Sequence, residues 1–198
     1  MSIAINGNGI TSANIADGAI TNADINSSAA IDASKLVGTG KVLQVLQVVK
    51  SDTFSTTVQD NTFAAITGLS ISITPTSTTS KILVTVEIGN IMQTDTNGRH
   101  TNFRINRDGT AIGLGDASGS KTRATFSGGS FAVHYGNSAS ASYLDSPAST
   151  SALSYSVSMA GHTGGTHRIN GRATGENDNA DAPNARLIST ITVMEIGA

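Results

Sequence analysis

The first thirty-six residues carry an apolar repeat that no ordinary secondary structure matches. Isoleucine returns every five residues at Ile5, Ile10, Ile15, Ile20 and Ile25, and after a slip of one residue the spacing resumes at Ile31 and Leu36. An α-helix repeats its faces about every 3.6 residues and a β-strand about every two. The repeat therefore predicts a quasi-one-dimensional segment, in which each unit buries its isoleucine only against neighbouring units or neighbouring chains.

The residues between these isoleucines are small or polar, and no aromatic residue precedes Phe54. Such a composition cannot form a globular core alone, and its low hydrophobicity also fits a disordered leader. A disordered leader, however, has no reason to keep a fixed spacing. We predict that residues 1–40 form a repetitive N-terminal shaft or attachment segment that ends in a flexible joint at Val37–Lys41. Its predicted interchain contacts are Ile10, Ile15, Ile20 and Ile25.

The composition of the whole chain excludes several classes of function. Only 13% of the residues are charged and 4% are aromatic, which is common in β-rich structural proteins and rare in metabolic enzymes. The net charge is −2 and no basic cluster is present, so we expect no nucleic-acid partner. Cysteine is absent, which excludes disulfides and thiolate metal sites. We find neither a signal peptide nor an apolar run long enough for a membrane span, and expect synthesis in a cytoplasm without membrane insertion.

From Val42 onwards, apolar residues alternate in the way that β-strands require. The run Val42–Val49 is apolar on both faces, which fits a strand between its own sheet and a neighbouring subunit. Its period of three also permits a short helix, but its β-branched residues favour the strand. The predicted inward-facing sets are Leu69, Ile71 and Ile73; Ile82, Val84, Val86 and Ile88; Phe103 and Ile105; Phe131, Val133 and Tyr135; and Leu153, Tyr155, Val157 and Met159.

Turn-forming residues separate these runs. Candidate turns are Asp60-Asn61, Thr67-Gly68, Thr96-Asn97-Gly98, Asp108-Gly109, Gly128-Gly129 and Gly161–Gly165. Roughly eight strands without a convincing helix predict an all-β protein, whose residues 41–198 form an antiparallel β-sandwich head, jelly-roll-like, behind the repetitive N-terminal segment. The closing run 186–196 is apolar on both faces and is predicted to be a central or interface strand. The predicted interface residues of the head are Val42, Val45, Ile191 and Val193.

No motif for catalysis or for a cofactor is convincing. The run Gly113–Ser118 lacks the third glycine of a dinucleotide loop, and Gly115–Thr122 places its lysine wrongly for a phosphate loop. Asp116, Asp145 and Glu176 could be imagined as glycosidase carboxylates, but no spacing rule across loops supports that assignment. We therefore predict no enzyme activity, no catalytic residues and no cofactor.

Two loops contain groups that could bind a metal ion. His162 and His167 flank Thr-Gly-Gly-Thr, which could place both at one loop mouth, where copies from several chains could ligate an ion; a solvent-facing loop is the alternative. Glu176–Asp181 offers oxygen ligands for calcium, but the spacing is not that of an EF-hand. We assign no metal site to either loop.

Several segments resemble tail-fibre and other virion fibre proteins of tailed bacteriophages, notably those of marine and cyanobacterial hosts. The similar segments are the Gly-Ile-Thr-Ser-Ala-Asn-Ile-Ala-Asp-Gly-Ala-Ile-Thr-Asn-Ala-Asp-Ile leader, Lys41-Val-Leu-Gln-Val, Thr67-Gly-Leu-Ser-Ile-Ser-Ile-Thr-Pro75, Ser80-Lys-Ile-Leu-Val84 and Ser189-Thr-Ile-Thr-Val-Met-Glu-Ile196. The resemblance implies a homotrimer on the exterior of the virion. In such a protein the N-terminal segment binds other virion proteins and the β-rich head is presented outward.

Two functions stay open at this point. In the first, loops on the rigid sandwich recognise a glycan or protein of the host surface. The candidate receptor contacts are Asp95, Asn97, Arg99, His100, His162, His167, Glu176 and Asp178. In the second, the protein is a capsid-decorating or adaptor fibre that binds only other virion proteins, an alternative favoured by the scarcity of Tyr and Trp in these loops.

Overall fold

The computed structural model describes residues 41–94, 100–129, 136–162, 165–171 and 185–197. All of them belong to one compact unit of the chain, residues 39–198. Their strands are β1 (Val42–Lys50), β2 (Phe54–Thr56), β3 (Ala64–Ile73), β4 (Lys81–Gln93), β5 (His100–Arg107), β6 (Thr110–Ile112), β7 (Phe126–Gly129), β8 (Asn137–Asp145), β9 (Leu153–Gly161), β10 (His167–Ile169) and β11 (Ser189–Ile196). The predicted shaft, residues 1–40, lies outside the described residues and stays a prediction.

The strands form two antiparallel sheets that face each other as a sandwich. Sheet I has the order β1-β11-β4, with β8 also paired to β4. The short strand β10 pairs with the last residues of β4, and β2 pairs with β10. Sheet II has the order β3-β9-β5, with β6 and β7 on the other edge of β5. The predicted all-β antiparallel sandwich is confirmed. The run at Val42 is a strand, not the short helix that its period also permits.

The pairing of the strands is that of a jelly roll. Three of the eleven described strands, β2, β6 and β10, contain only three residues each, and eight longer ones remain, as the sequence predicts. Pairing joins β1 with β11, β3 with β9, β4 with β8, and β5 with β7. Rolling up one long antiparallel hairpin produces this nested order, which leaves two sheets packed on a common core.

The core between the sheets consists of the side chains whose alternation the sequence shows. From β4, Ile82, Val84, Val86 and Ile88 are at most 1% exposed, and from β9, Tyr155, Val157 and Met159 are fully buried. Leu69, Ile71, Ile73, Phe103, Ile105 and Leu153 complete the predicted sets that the structure describes. Phe131, Val133 and Tyr135 lie outside the described residues. Because alternate residues of each long strand are buried, the residues between them point outward from the sandwich.

Two of the predicted turns are wrong, and two are confirmed: Asp108-Gly109, and Asp60-Asn61, which is described with the candidate site. Asp108 and Gly109, with φ of 49° and 80°, form the hairpin turn between β5 and β6. Gly68 instead lies inside β3 with φ of 85°, where the pairing with β9 shifts register, so Thr67-Gly68 is a β-bulge. Gly128-Gly129 lies in β7, paired with β5. Glycine marks a bulge or a close approach as well as a turn, and the sequence does not distinguish these uses.

The register gives the sandwich two distinct ends. Val42 pairs with Ile196 and Ile196 with Lys81, so the described chain begins at what we call the leader end. The opposite end, the distal end, contains the start of β5 at His100 and the end of β9 at Gly161. The described residues that flank the predicted loops at Asp95–Arg99 and Gly161–Gly165 lie there, away from residue 41.

A buried charged cluster joins the two sheets at the leader end. Arg107 Nη1 donates to both carboxylate oxygens of Asp145, at 2.9 and 2.7 Å, and the Tyr155 hydroxyl donates to Asp145 Oδ2 at 2.7 Å. Burial and the hydrogen bond to Asp145 raise the pKa of Tyr155 well above its ordinary value. Asp145 is 5% exposed and belongs to this structural network, so it is not placed to act as a glycosidase carboxylate.

Candidate functional site

A polar cleft opens at the distal end of the sandwich. We call it the histidine cleft; it has a volume of about 570 Å³ and is lined by Asp60, Asn61, His100, Asn102, Ser120, Lys121, Thr122 and His162. Its residues come from the start of β5, the end of β9, the turn before β3 and the loop before β7. Four separate parts of the chain therefore meet at this cleft.

Two predicted receptor contacts, His100 and His162, come together in the cleft. The Thr101–Gly161 pair ends the ladder between β5 and β9, and His162 N donates to His100 O at 3.2 Å just beyond it. The two imidazole rings lie 5.2 Å apart between centroids, inclined at 38°. Both side chains are exposed. The ladder thus places two histidines, distant in sequence, side by side at the surface.

The opposite wall of the cleft comes from a tight turn that is tied to the end of β9. Asp60 has φ of 58°, its backbone N–H donates to Gly161 O at 2.9 Å, and Gly161 N donates to Val58 O at 2.8 Å. These bonds confirm the predicted turn at Asp60-Asn61. They place the carboxylate of Asp60 and the amide of Asn61 in the same cleft as the histidine pair.

The chemistry of the cleft is that of polar recognition. Asp60 and Lys121 supply opposite charges, and the remaining lining side chains are imidazoles, amides and hydroxyls. A ligand with several hydrogen-bonding groups could use these donors and acceptors together. No phenylalanine, tyrosine or tryptophan lines the cleft within the described residues, so it offers no aromatic face for stacking.

The prediction that His167 is a surface contact is wrong. His167 is fully buried, and its Nδ1 shares a 2.7 Å hydrogen bond with Thr101 Oγ1. Its ring packs directly over Gly161, where a Cβ atom would overlap it. His162 and His167 therefore do not form a common loop mouth. The Thr101–His167 pair also has no access to a substrate, since Thr101 is only 1% exposed.

The other predicted receptor contacts, Asp95, Asn97, Arg99, Glu176 and Asp178, lie outside the described residues, as does the possible calcium loop 176–181. Within the described ranges, no three His, Cys, Asp or Glu side chains are grouped as they would be around a metal ion. The same part of the chain has no helix of the length and apolarity needed to cross a membrane.

The head interface prediction needs a correction for β11. Ile191 and Val193 are fully buried in the core, so neither can contact another chain. Val42 and Val45 on β1 are 54% and 53% exposed and remain candidates. The closing strand is central, paired with β1 and β4 on its two edges.

The outer face of sheet I carries an uninterrupted line of apolar side chains. Register places Val45 opposite Met194, Met194 opposite Leu83, and Leu83 opposite Leu144, across four strands. We call these four residues the apolar row; Val45 and Leu144 are 53% and 48% exposed. The next row is uncharged as well: Gln47 Nε2 donates to Thr192 Oγ1 at 2.9 Å. The hydroxyls of Thr85 and Ser142 lie 3.1 Å apart.

Sequence analysis missed most of the cleft and three of the four residues of the apolar row, since only Val45 was among the predicted interface residues. Asp60-Asn61 is recognisable as a turn and Lys121 as part of a loop, but no sequence signal places either beside His100. Leu83 and Leu144 each stand at outward positions of their strands. Their alignment with Val45 depends on register, which the sequence does not show.

No model of a known protein family matches this chain, and no curated protein matches it as a relative. The geometry of the described residues therefore carries the functional argument.

Proposed function

We propose that this protein is a homotrimeric fibre protein of a bacteriophage particle, attached through residues 1–40 and presenting the distal end of its sandwich to the host surface. The observation that carries the proposal is the opposition of the two ends. The leader joins the sandwich at Lys41, beside the Val42–Ile196 pair, whereas the histidine cleft lies at the other end. A protein that is anchored by one end and binds by the other requires this arrangement.

Self-association is supported by the apolar row and by the edge strand next to it. Soluble monomers rarely expose large contiguous apolar patches, and they usually protect edge strands with charges or proline. β1 is an edge strand of sheet I, yet it exposes Val42, Leu43, Val45 and Val49 and has its one lysine at its last position. That lysine, Lys50, is buried and paired with Asp52 at 2.8 Å.

The occupant that suits this face is another copy of the chain. The apolar row and the Gln47–Thr192 row beside it contain no charged residue, so identical surfaces meet there without like-charge repulsion. This face also includes β1, which directly follows Lys41, so association of three leaders would bring the β1 strands of the three heads close together.

The test of the trimer is the molar mass of the full-length protein in solution by light scattering. We expect three chains per particle, and we expect the double variant Val45→Ser/Leu144→Ser to shift the population towards monomer. The matched control is Ile188→Ser, because Ile188 is 56% exposed but lies outside the row. A monomeric wild-type protein at micromolar concentration would overturn the trimer, and equal effects of the two sets of variants would overturn the assigned face.

The host-recognition part has its own test. Purified protein should adsorb to host cells and reduce infection, and His100→Ala/His162→Ala should weaken that adsorption because it removes both imidazoles from the cleft. Thr78→Ala, in the exposed connection between β3 and β4 at the leader end, is the control. Adsorption that is unchanged in the histidine variant would place recognition elsewhere.

A capsid-decorating or adaptor fibre with a purely structural role is the second candidate. The absence of aromatic side chains from the described lining of the cleft favours it, since aromatic rings supply much of the contact area at recognition sites. Trimeric protein that does not adsorb to host cells at all would support this candidate over the first.

A further inference from the structure

The outer face of sheet II carries a groove that is distinct from the histidine cleft and from the apolar row. It has a volume of about 390 Å³, within the range of small-molecule sites. Register builds its floor from two rows of outward side chains: Ser158 lies beside Arg104, and Ser156 lies beside Asn106. Phe63 closes one side. We call this the arginine groove.

The guanidinium of Arg104 is fixed from two directions. Its Nε donates to the backbone O of Arg123 at 2.8 Å, and its Cζ lies 3.8 Å from the centroid of the Phe63 ring. Nε is therefore occupied, and the two terminal nitrogens are the donors that remain for a ligand in the groove that Arg104 lines. Two parallel N–H donors in one plane match the two oxygens of a carboxylate.

The positive charge of Arg104 is not compensated within the described residues. Ion pairs there join Lys50 with Asp52 and Arg107 with Asp145, and Arg104 takes part in neither. Partial burial and the neighbouring charge of Arg123 lower the pKa of Arg104. An anion bound at the terminal nitrogens would relieve both effects. An arginine held in a fixed position, partly desolvated and without a carboxylate, is arranged as a binding group rather than as a structural one.

The surroundings of Arg104 suit a ligand with hydroxyl groups. Asn106 Nδ2 donates to Ser158 Oγ at 3.0 Å, which leaves the Ser158 hydroxyl hydrogen and the Asn106 carbonyl oxygen for a ligand. Ser156 adds a further hydroxyl along the same groove. Neutral donors and acceptors beside one cationic fork are complementary to a sugar that carries a carboxylate.

We propose that the arginine groove binds an acidic saccharide, with Arg104 holding the carboxylate and Asn106, Ser156 and Ser158 contacting the hydroxyls. The groove lies on the sheet opposite the apolar row, so the trimer proposed above leaves it open to solvent. Binding itself does not depend on that trimer, because all the groups named belong to one chain.

The test uses the full-length protein and a short oligouronate, titrated by isothermal calorimetry or by NMR. The matched ligand control is the same oligosaccharide with its carboxylates methyl-esterified, and acetate tests a bare carboxylate. We expect the oligouronate to bind, the ester to bind at least about 10-fold more weakly, and Arg104→Gln to lose a similar factor, which is the scale of a charged hydrogen-bond pair. Arg104→Lys keeps the charge but not the fork and should lie in between. Lys81→Gln, on the opposite sheet, should bind as the wild type does.

Each contrary result overturns a stated part of the proposal. Absence of oligouronate binding at millimolar concentration overturns the site, and so does binding that Arg104→Gln leaves unchanged. Equal binding of acid and ester overturns the role of the carboxylate. If acetate binds as tightly as the oligouronate, the groove is a general anion site and the proposed saccharide specificity is wrong. Circular dichroism of Arg104→Gln establishes that the variant is folded, and none of these results bears on the molar mass that tests the trimer.

Discussion

The carboxylate of Glu195 should be the largest pH-dependent contribution to stability at the leader end. Glu195 is fully buried at the end of β11. Gln44 Nε2 donates to its Oε2 at 2.7 Å, and the backbone N–H and the hydroxyl of Thr76 both donate to its Oε1 at 2.7 Å. These bonds join β1, β11 and the connection between β3 and β4. The carboxylate therefore ties β1 and β11 of sheet I, at the leader end, to the connection that comes from sheet II.

The magnitude follows from the pKa of this carboxylate. Burial acts to raise the pKa of Glu195, but the hydrogen bonds from Gln44 and Thr76 outweigh it and lower the pKa from 4.5 to about 2. A depression of that size corresponds to about 3 kcal/mol of stability at neutral pH. Because the folded-state pKa is the lower one, this stability is present above about pH 4.5 and is lost as the pH falls towards 2.

Glu195→Gln should therefore lower the free energy of unfolding by about 3 kcal/mol at pH 7. The substitution removes the ionised acceptor, and the new amide NH₂ faces one of the groups that donate to Glu195. The loss should shrink to about 1.5 kcal/mol near pH 3, because the carboxylate is then protonated in the unfolded chain but still mostly ionised in the folded one, and it should approach zero only below about pH 2. Urea unfolding followed by circular dichroism, at one fixed chain concentration, measures both values.

Glu87→Gln is the matched control for this measurement. Glu87 lies on the neighbouring strand β4 but is exposed, so its substitution should change the stability by less than about 0.5 kcal/mol. A loss below about 1 kcal/mol for Glu195→Gln at pH 7, or a loss that is equal at pH 7 and pH 3, would refute the role of the ionised carboxylate.

Two further substitutions test the packing at each end of the sandwich. Gly161→Ala should lower the free energy of unfolding by about 2–4 kcal/mol, because the new methyl group would overlap the buried ring of His167. Gly115→Ala, where a Cβ atom meets nothing within 4 Å, should change the melting temperature little. Tyr155→Phe removes the 2.7 Å hydrogen bond to Asp145 and should cost about 1–3 kcal/mol in chemical denaturation. An equal cost for Tyr143→Phe would show that the loss does not come from that bond.

The all-β fold was predictable because burial follows the period of two on each strand. The outward serines of β9, Ser154, Ser156 and Ser158, reveal its inward face without any structural information. The same period does not reveal register. Val45, Leu83 and Leu144 look like isolated exposed apolar residues in the sequence, and only strand pairing aligns them in a row.

The doubly apolar strands β1 and β11 show a second limit of sequence analysis. Both look alike in the sequence, and both were candidates for an interface. In the structure β11 is paired on both edges, and its inward residues Ile191 and Val193 belong to the core, whereas β1 is paired on only one edge among the described strands. Whether an apolar strand is central or at the edge depends on topology, which local composition does not encode.

The histidine cleft was only partly predictable for a related reason. Histidines five residues apart suggested that His162 and His167 act together. Strand β9 ends at Gly161 and β10 begins at His167, so the second histidine enters the sandwich while the first stays outside. The partner of His162 is instead His100, from a strand some sixty residues earlier in the chain.

The leader and the edge strand make the same physical demand, although they differ in sequence pattern. Isoleucines at a spacing of five cannot be covered within one chain by a helix or a strand. Apolar side chains of β1, among them Val42, Val45 and Val49, are likewise left exposed by the described part of the sandwich. The two segments are consecutive in the sequence, so a partner bound to one of them would be held near the other. In the trimer proposed above, the second and third copies of the chain would supply surfaces for both segments, whereas an unrelated partner would need two separate complementary surfaces in the right order.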